Sequence, residues 1–117
     1  MKINNFQDLI VWQKSHDLVL QIYKETKSFP EEEKFGLISQ IRRSAVSICA
    51  NISEGYMKSS KDFVRFLEIA RGSLEETKYH LILSKDLAYL EISRFNKLFS
   101  LSEEIGKMLH ALSGRLR

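Results

Sequence analysis

Apolar residues recur at steps of three and four along four separate stretches of the chain. In the first, Leu9, Trp12, His16, Val19, Tyr23 and Thr26 share a stripe that Leu18 and Ile22 widen, the spacing of one face of an α-helix. On that stripe His16 reads as a core histidine. Phe29-Pro30 closes the segment, because a residue that precedes proline is pushed out of the α region. Pro30 then suits the first turn of a second helix, whose positive end Glu31, Glu32 and Glu33 complement. Ile38, Ile41, Ala45, Ile48 and Ile52 form its seam, so the helix is expected from about Pro30 to Ser53, with Gly55 as a left-handed cap. A third helix follows a Ser59/Ser60 cap, where Ser59 and Asp62 are spaced as a capping box. Its seam is Phe63, Leu67, Ala70, Leu74, Thr77 and Leu81, and a fourth helix from near Ser93 repeats Phe95, Leu98, Ser102, Ile105, Leu109, Leu112 and Leu116. Short connections favour antiparallel neighbours. The expected architecture is all-α, a single domain over residues 1–117 built as an antiparallel up-down-up-down four-helix bundle.

The second helix departs from an ordinary surface helix. Between Phe35 and Ser53 the only charges are Arg42 and Arg43. Opposite the seam, a helical wheel collects Gly36, Gln40, Arg43, Ser47, Ala50 and Glu54, a small and polar strip with one Arg and one Glu. Small residues let another helix come close, and an Arg/Glu pair sets register across a buried contact. Burial on both sides, by the bundle core and by a second copy of the chain, is the reading this pattern favours over a merely exposed face.

Composition narrows the class. Hydrophobic residues make up 44% and charged residues 28% of the 117, and a single proline with five glycines is too little turn chemistry for a β-sandwich or barrel. One cysteine, Cys49, forms no internal disulfide. The apolar run Leu9–Trp12 is too short for a signal peptide, and no run approaches the ~18 apolar residues of a membrane span, so a cytoplasmic protein is expected. The net charge of +3 permits a nucleic-acid partner without demanding one.

No constellation for catalysis assembles. His16, His80 and His110 fall on different helices, and Glu76 and His80 lack the Glu-x-x-His spacing of bundle metal sites. The five glycines stand apart, with no phosphate-loop context. Cys49, among Val46, Ile48 and Ala50, reads as a small packed hydrophobe rather than a nucleophile. The sequence therefore points to no enzyme, metal or cofactor. Candidate nucleic-acid contacts are Arg42, Lys58, Lys61, Arg65, Arg71 and Lys78, with Tyr56, Phe63 and Phe66 among them, since cations hold phosphates and aromatics stack on unpaired bases. Against this, Phe63 belongs to the core seam, Arg71 is placed to pair with Glu75, and Asp62 and Glu68 dilute the patch.

The run from Gln40 to Gly55 (QIRRSAVSICANISEG) resembles the signature of the 23S rRNA-intervening-sequence proteins, also called S23 ribosomal proteins. Leu9-x-x-Trp12, Tyr23-x-x-Thr26-x-x-Phe29-Pro30, Gly36-Leu37 and Phe66-Leu67-x-Ile69-Ala70-Arg71-Gly72-Ser73-Leu74-x-Glu76 are similar to the rest of that pattern, from about Phe6 to Leu112. Cys49 stands where the family often has proline, which implies a straighter helix there. The resemblance implies a four-helix bundle that assembles as a homopentameric ring, in a bacterial family often encoded within 23S rRNA genes. It also implies a likeness in fold to the accessory proteins of diversity-generating retroelements, which hold a reverse transcriptase and nucleic acid. Carried onto this chain, Arg43, Asn51 and Glu54 lie in the family motif. With Gly36, Gln40 and Ser47 they make the expected subunit contact. The expected partners are thus further copies of the chain, RNA, and as the alternative a partner protein.

Overall fold

The computed structural model describes residues 2–117. Four helices account for most of them: α1 (Ile10–Thr26), α2 (Leu37–Tyr56), α3 (Ser60–Asp86) and α4 (Ile92–Leu116), with short 3-10 turns at Phe6–Asp8 and Glu31–Glu33. No strand occurs among the described residues, so the protein is all-α.

The seams read from the sequence become the core. Ile41, Ala45, Ile48 and Ile52 of α2 are buried, as are Phe63, Leu67, Ala70, Leu74 and Leu81 of α3 and Leu98, Ile105 and Leu109 of α4. Hydroxyls fill the remaining core positions. Ser15, Thr26, Ser84 and Ser102 each donate to the carbonyl four residues earlier at 2.7–2.9 Å, which removes the cost of burying a bare hydroxyl. Ser44 and Thr77 meet at 2.8 Å in the interior between α2 and α3.

Contacts between helices come in reversed order, rising numbers on one element meeting falling numbers on the next. Trp12 Nε1 donates to Ser53 Oγ at 3.0 Å and Arg42 Nε to Thr26 Oγ1 at 2.9 Å. Arg43 bonds Glu76, Ser47 meets Ser73 at 2.8 Å, and Gly55 lies against Phe66. Between α3 and α4, Lys78 Nζ reaches Glu103 at 3.1 Å and Arg117 reaches Glu68 at 3.5 Å. Between α1 and α4, Lys14 reaches Glu104 at 3.1 Å and Arg94 bonds Glu25.

Several local expectations are corrected. The core face of α1 is Val11, Ser15, Leu18, Val19, Ile22 and Thr26, whereas His16 and Tyr23 are exposed. His16 is no core histidine; its ring stacks on Trp12 with centroids 4.9 Å apart. The second helix starts at Leu37 and not near Pro30. Glu33 lies in the intervening turn and its Oε1 accepts the Leu37 N–H at 3.1 Å. A Cβ on Gly36 would stand 2.8 Å from that oxygen, so glycine leaves room for the cap. Gly55 is no left-handed cap either: it is buried inside α2, and none of the described glycines has positive φ. The cap of α3 is one-sided. Ser59 Oγ accepts the Asp62 N–H at 3.3 Å, but the Asp62 carboxylate takes Arg65 at 3.2 Å and completes no box.

Candidate functional site

The polar strip of α2 does not face away from everything. Residues three and four apart share a helical face, so Gln40, Arg43, Ser47, Asn51 and Glu54 form one stripe of α2, and Ile69, Ser73, Glu76 and His80 form one of α3. Two side-chain pairs, Arg43–Glu76 and Ser47–Ser73, join the stripes, and bonds within each helix hold their neighbours in place. Arg43 donates to Glu76 and, at 3.2–3.3 Å, to Gln40 Oε1. Asn51 Nδ2 donates to the Ser47 carbonyl at 2.8 Å, and His80 Nε2 lies 3.2 Å from Glu76. The carboxylate partner of Arg43 is therefore Glu76 of the same chain. Glu54 is exposed, and Gly36 is half-buried at the start of the helix.

Beyond the stitched seam the surface is apolar and small. Val46 is 41% exposed and Ile69 52% exposed, with Ser39 and Ala50 also at the surface. Arg43 and Glu76 neutralise each other, so this face of α2 and α3 carries little net charge.

The six candidate nucleic-acid cations separate into two groups. Arg42 is bound into the fold: its guanidinium lies 4.4 Å from the Tyr23 ring centroid and donates to Thr26 Oγ1 and the Tyr23 carbonyl. Lys78 is held between Glu75 and Glu103 at 3.2 and 3.1 Å and sits over the Phe99 ring. Burial works to lower its pKa, but the hydrogen bonds to Glu103 and Glu75 outweigh that and raise it above the ordinary lysine value. Arg71 pairs with Glu68 at 3.3 Å, rather than with Glu75. Arg65 pairs with Asp62 but stays largely exposed. Lys58 and Lys61 are exposed at the α2–α3 connection, and among the described residues no carboxylate lies within 4 Å of either.

Nothing in this arrangement suggests a reaction centre. Cys49 is half-buried against the core, and burial pushes its thiol up to about 12, far from a thiolate at neutral pH. Among the described residues no three His, Cys, Asp or Glu side chains gather as a metal site. No described helix is long and apolar enough to cross a membrane.

The family model for 23S rRNA-intervening sequence proteins matches residues 7–111. The chain belongs to that family. No curated protein matches it. Among solved structures, a crystal structure of a protein of unknown function from the S23 ribosomal protein family of Bacteroides thetaiotaomicron is similar, with a TM-score of 0.80 and 32% identity over 89% of this chain and 98% of the other.

In this 23S rRNA-intervening-sequence protein the motif run Gln40–Gly55 thus does two jobs. One side supplies the core, and the other supplies the stitched contact to α3. Ile69, Ser73 and Glu76 were not singled out from sequence as parts of that contact. Their spacing, outside the α3 seam, is the signal that marks them. Arg115 and Arg117 were also missed as basic surface residues, because they are distant in sequence from the α2–α3 connection that Arg117 approaches.

Proposed function

We propose that this 23S rRNA-intervening-sequence protein is a non-enzymatic antiparallel up-down-up-down bundle that associates with copies of itself in a ring and engages RNA as that assembly. The face formed by α2 and α3 carries the reading. It exposes Val46 and Ile69 with small residues between them, its Arg43–Glu76 pair is already neutralised, and its polar atoms, the buried His80 Nδ1 apart, are largely satisfied within the chain. Such a face loses little on desolvation, the property of the central part of a protein–protein contact. A ring also multiplies the +3 of one chain on one particle, which strengthens attraction to a polyanion.

Solution mass tests the assembly. Ala50→Glu and Ile69→Glu place a charge on exposed positions, so each variant should keep its helical circular dichroism while light scattering shows the particle falling to the 13.6 kDa of one chain. A parent protein that scatters as a single chain at all concentrations overturns the reading. Titration with 23S rRNA fragments tests the partner: phosphate-driven binding should weaken by orders of magnitude between about 50 and 200 mM salt. No binding of the fragments even at the lower salt would instead favour a protein partner.

A further inference from the structure

The molecule is 42 Å long and its charge is unevenly shared along that length. One end gathers the N-terminal segment, the start of α1, the α2–α3 connection and the last turns of α4. Ile3, Leu9 and Arg115 line one cleft there, and Lys61 and Arg117 line another. Within residues 2–12, 52–66 and 108–117 stand six basic side chains (Lys2, Lys58, Lys61, Arg65, Arg115 and Arg117) against three acidic ones, Asp8, Glu54 and Asp62. The opposite end, residues 22–38 and 80–95, holds five basic against six acidic. The middle is nearly balanced, with seven against six. One end thus carries a charge equal to the whole excess of the chain.

The carboxylates at that end are also partly engaged. Asp8 accepts the backbone N–H groups of Asn4 and Asn5 at 2.9 and 3.3 Å, and Asp62 holds Arg65. Among the described residues no carboxylate lies within 4 Å of Lys2, Lys58, Lys61 or Arg115, and Arg117 has only the longer contact to Glu68 at 3.5 Å. Cations without a protein partner lose least when they exchange solvent for a phosphate, and their counterions are released as they do so. Among the described residues Lys24, Lys27 and Lys34 at the other end also lack a carboxylate within 4 Å. The acidic side chains there outnumber the basic ones, however, so of the two ends only the first combines unpaired cations with a net positive charge.

We propose that this end is the RNA-contacting surface, with Lys58, Lys61, Arg115 and Arg117 holding backbone phosphates across the α2–α3 connection and the last turn of α4. The proposal rests on the RNA reading above and adds its location. It also redistributes the sequence candidates: Lys58 and Lys61 stay, Arg42 and Lys78 leave, and Arg115 and Arg117 enter. Because the contacts are to phosphates, recognition follows RNA shape and charge more than base identity.

Fluorescence anisotropy on the full chain with a labelled RNA hairpin of about 30 nucleotides, at about 50 and 200 mM salt, tests it. The variant Lys58→Gln/Lys61→Gln/Arg117→Gln removes three exposed cations that take no part in the core. A control, Lys24→Gln/Lys27→Gln/Lys34→Gln, removes the same charge from the opposite end. The first variant should bind at least about tenfold more weakly at low salt and flatten the salt slope by about 2–3, and the control should stay within about threefold of the parent. Equal losses in both variants, or parental binding by the first, overturn the location while leaving RNA binding intact. If the parent does not bind the hairpin at low salt, or binds anionic vesicles in its place, the RNA reading fails and takes this surface with it.

Discussion

Gly55 of α2 and Phe66 of α3 are so close that a Cβ on Gly55 would stand 2.6 Å from the Phe66 Cβ and 2.9 Å from the Phe63 ring. A Cβ is tied to its backbone and does not swing away, so relief requires the two helices to separate. Alanine gains about 1 kcal/mol over glycine in a helix interior, whereas overpacking costs about 1–3 kcal/mol. Here the clash wins. Gly55→Ala should lower the unfolding free energy by the difference, up to about 2 kcal/mol, in urea titrations. Gly72, also helical, has nothing within 4 Å of its added Cβ, and Gly72→Ala should gain about 0.5–1 kcal/mol. Two glycines on neighbouring helices should therefore answer the same substitution with opposite signs; matched responses would refute the close contact.

Arg42 is a cation recruited by the fold. Its guanidinium covers the Tyr23 ring and bonds Thr26 Oγ1 and the Tyr23 carbonyl near the C-terminal end of α1, where carbonyls lack helical partners and positive charge is favoured. Arg42→Ala should cost about 1–3 kcal/mol of stability, and Arg42→Lys should recover only part, because an ammonium does not reproduce a planar stacked donor pair. RNA affinity of the folded Arg42→Ala protein should stay within about twofold of the parent. A large loss of affinity without loss of stability would return Arg42 to the contact surface.

The contrast between Arg42 and Lys58 shows where sequence reading succeeded and where it stopped. Heptad seams with few breaks located α2, α3 and α4, since a strongly periodic apolar pattern has one cheap solution in water. The face of α1 was rotated instead. Ser15 is polar to any hydropathy scan, yet it returns its hydroxyl to the Val11 carbonyl and packs as core, while the amphipathic rings of His16 and Tyr23 lie outside. Gly55 could serve a cap or a close approach, and both put glycine near a helix end. For the surface, net charge was legible but its distribution was not. Whether a cation is spent inside the chain, as Arg42 is, depends on the neighbour that packing supplies, and Arg117 reaches α3 only once α4 has folded back beside it.

The turn between α3 and α4 holds a backbone strain that no sequence motif announced. Ala88 has φ 63°, in the left-handed region that a Cβ disfavours. It is held there because the Tyr89 and Leu90 N–H groups both return to the Ser84 carbonyl, at 2.9 and 3.3 Å, as at a helix end usually closed by glycine. Ala88→Gly relieves the strain at some cost in unfolded-state entropy, for a net gain of about 0.5–1 kcal/mol. The melting temperature should rise by a few degrees, about 4 °C per kcal/mol for a domain of this size. A fall would mean that the turn relaxes to ordinary φ in solution.

Cys49 provides a pH-dependent readout of the packing of α2 against the core. Burial pushes its thiol up to about 12 from an ordinary 9.0, and the thiolate is the form that alkylates. At pH 8 the three-unit difference leaves about a thousandfold less thiolate than an ordinary thiol would have, so iodoacetamide labelling should be slower by about that factor. The labelling rate should climb about tenfold per pH unit beyond pH 9, where an unperturbed thiol would begin to level off. The same shift acts on stability. A folded pKa above the unfolded one keeps its contribution whole below about pH 9 and loses it as pH rises towards 12. Cys49→Ala should remove that part of the alkaline loss, leaving the shares contributed by Lys78 and Tyr89, whose pKa values are also raised. A thiol in the native protein that alkylates at the rate of a small-molecule thiol at pH 8 would show that this side of α2 opens to water far more often than its packing against the core allows.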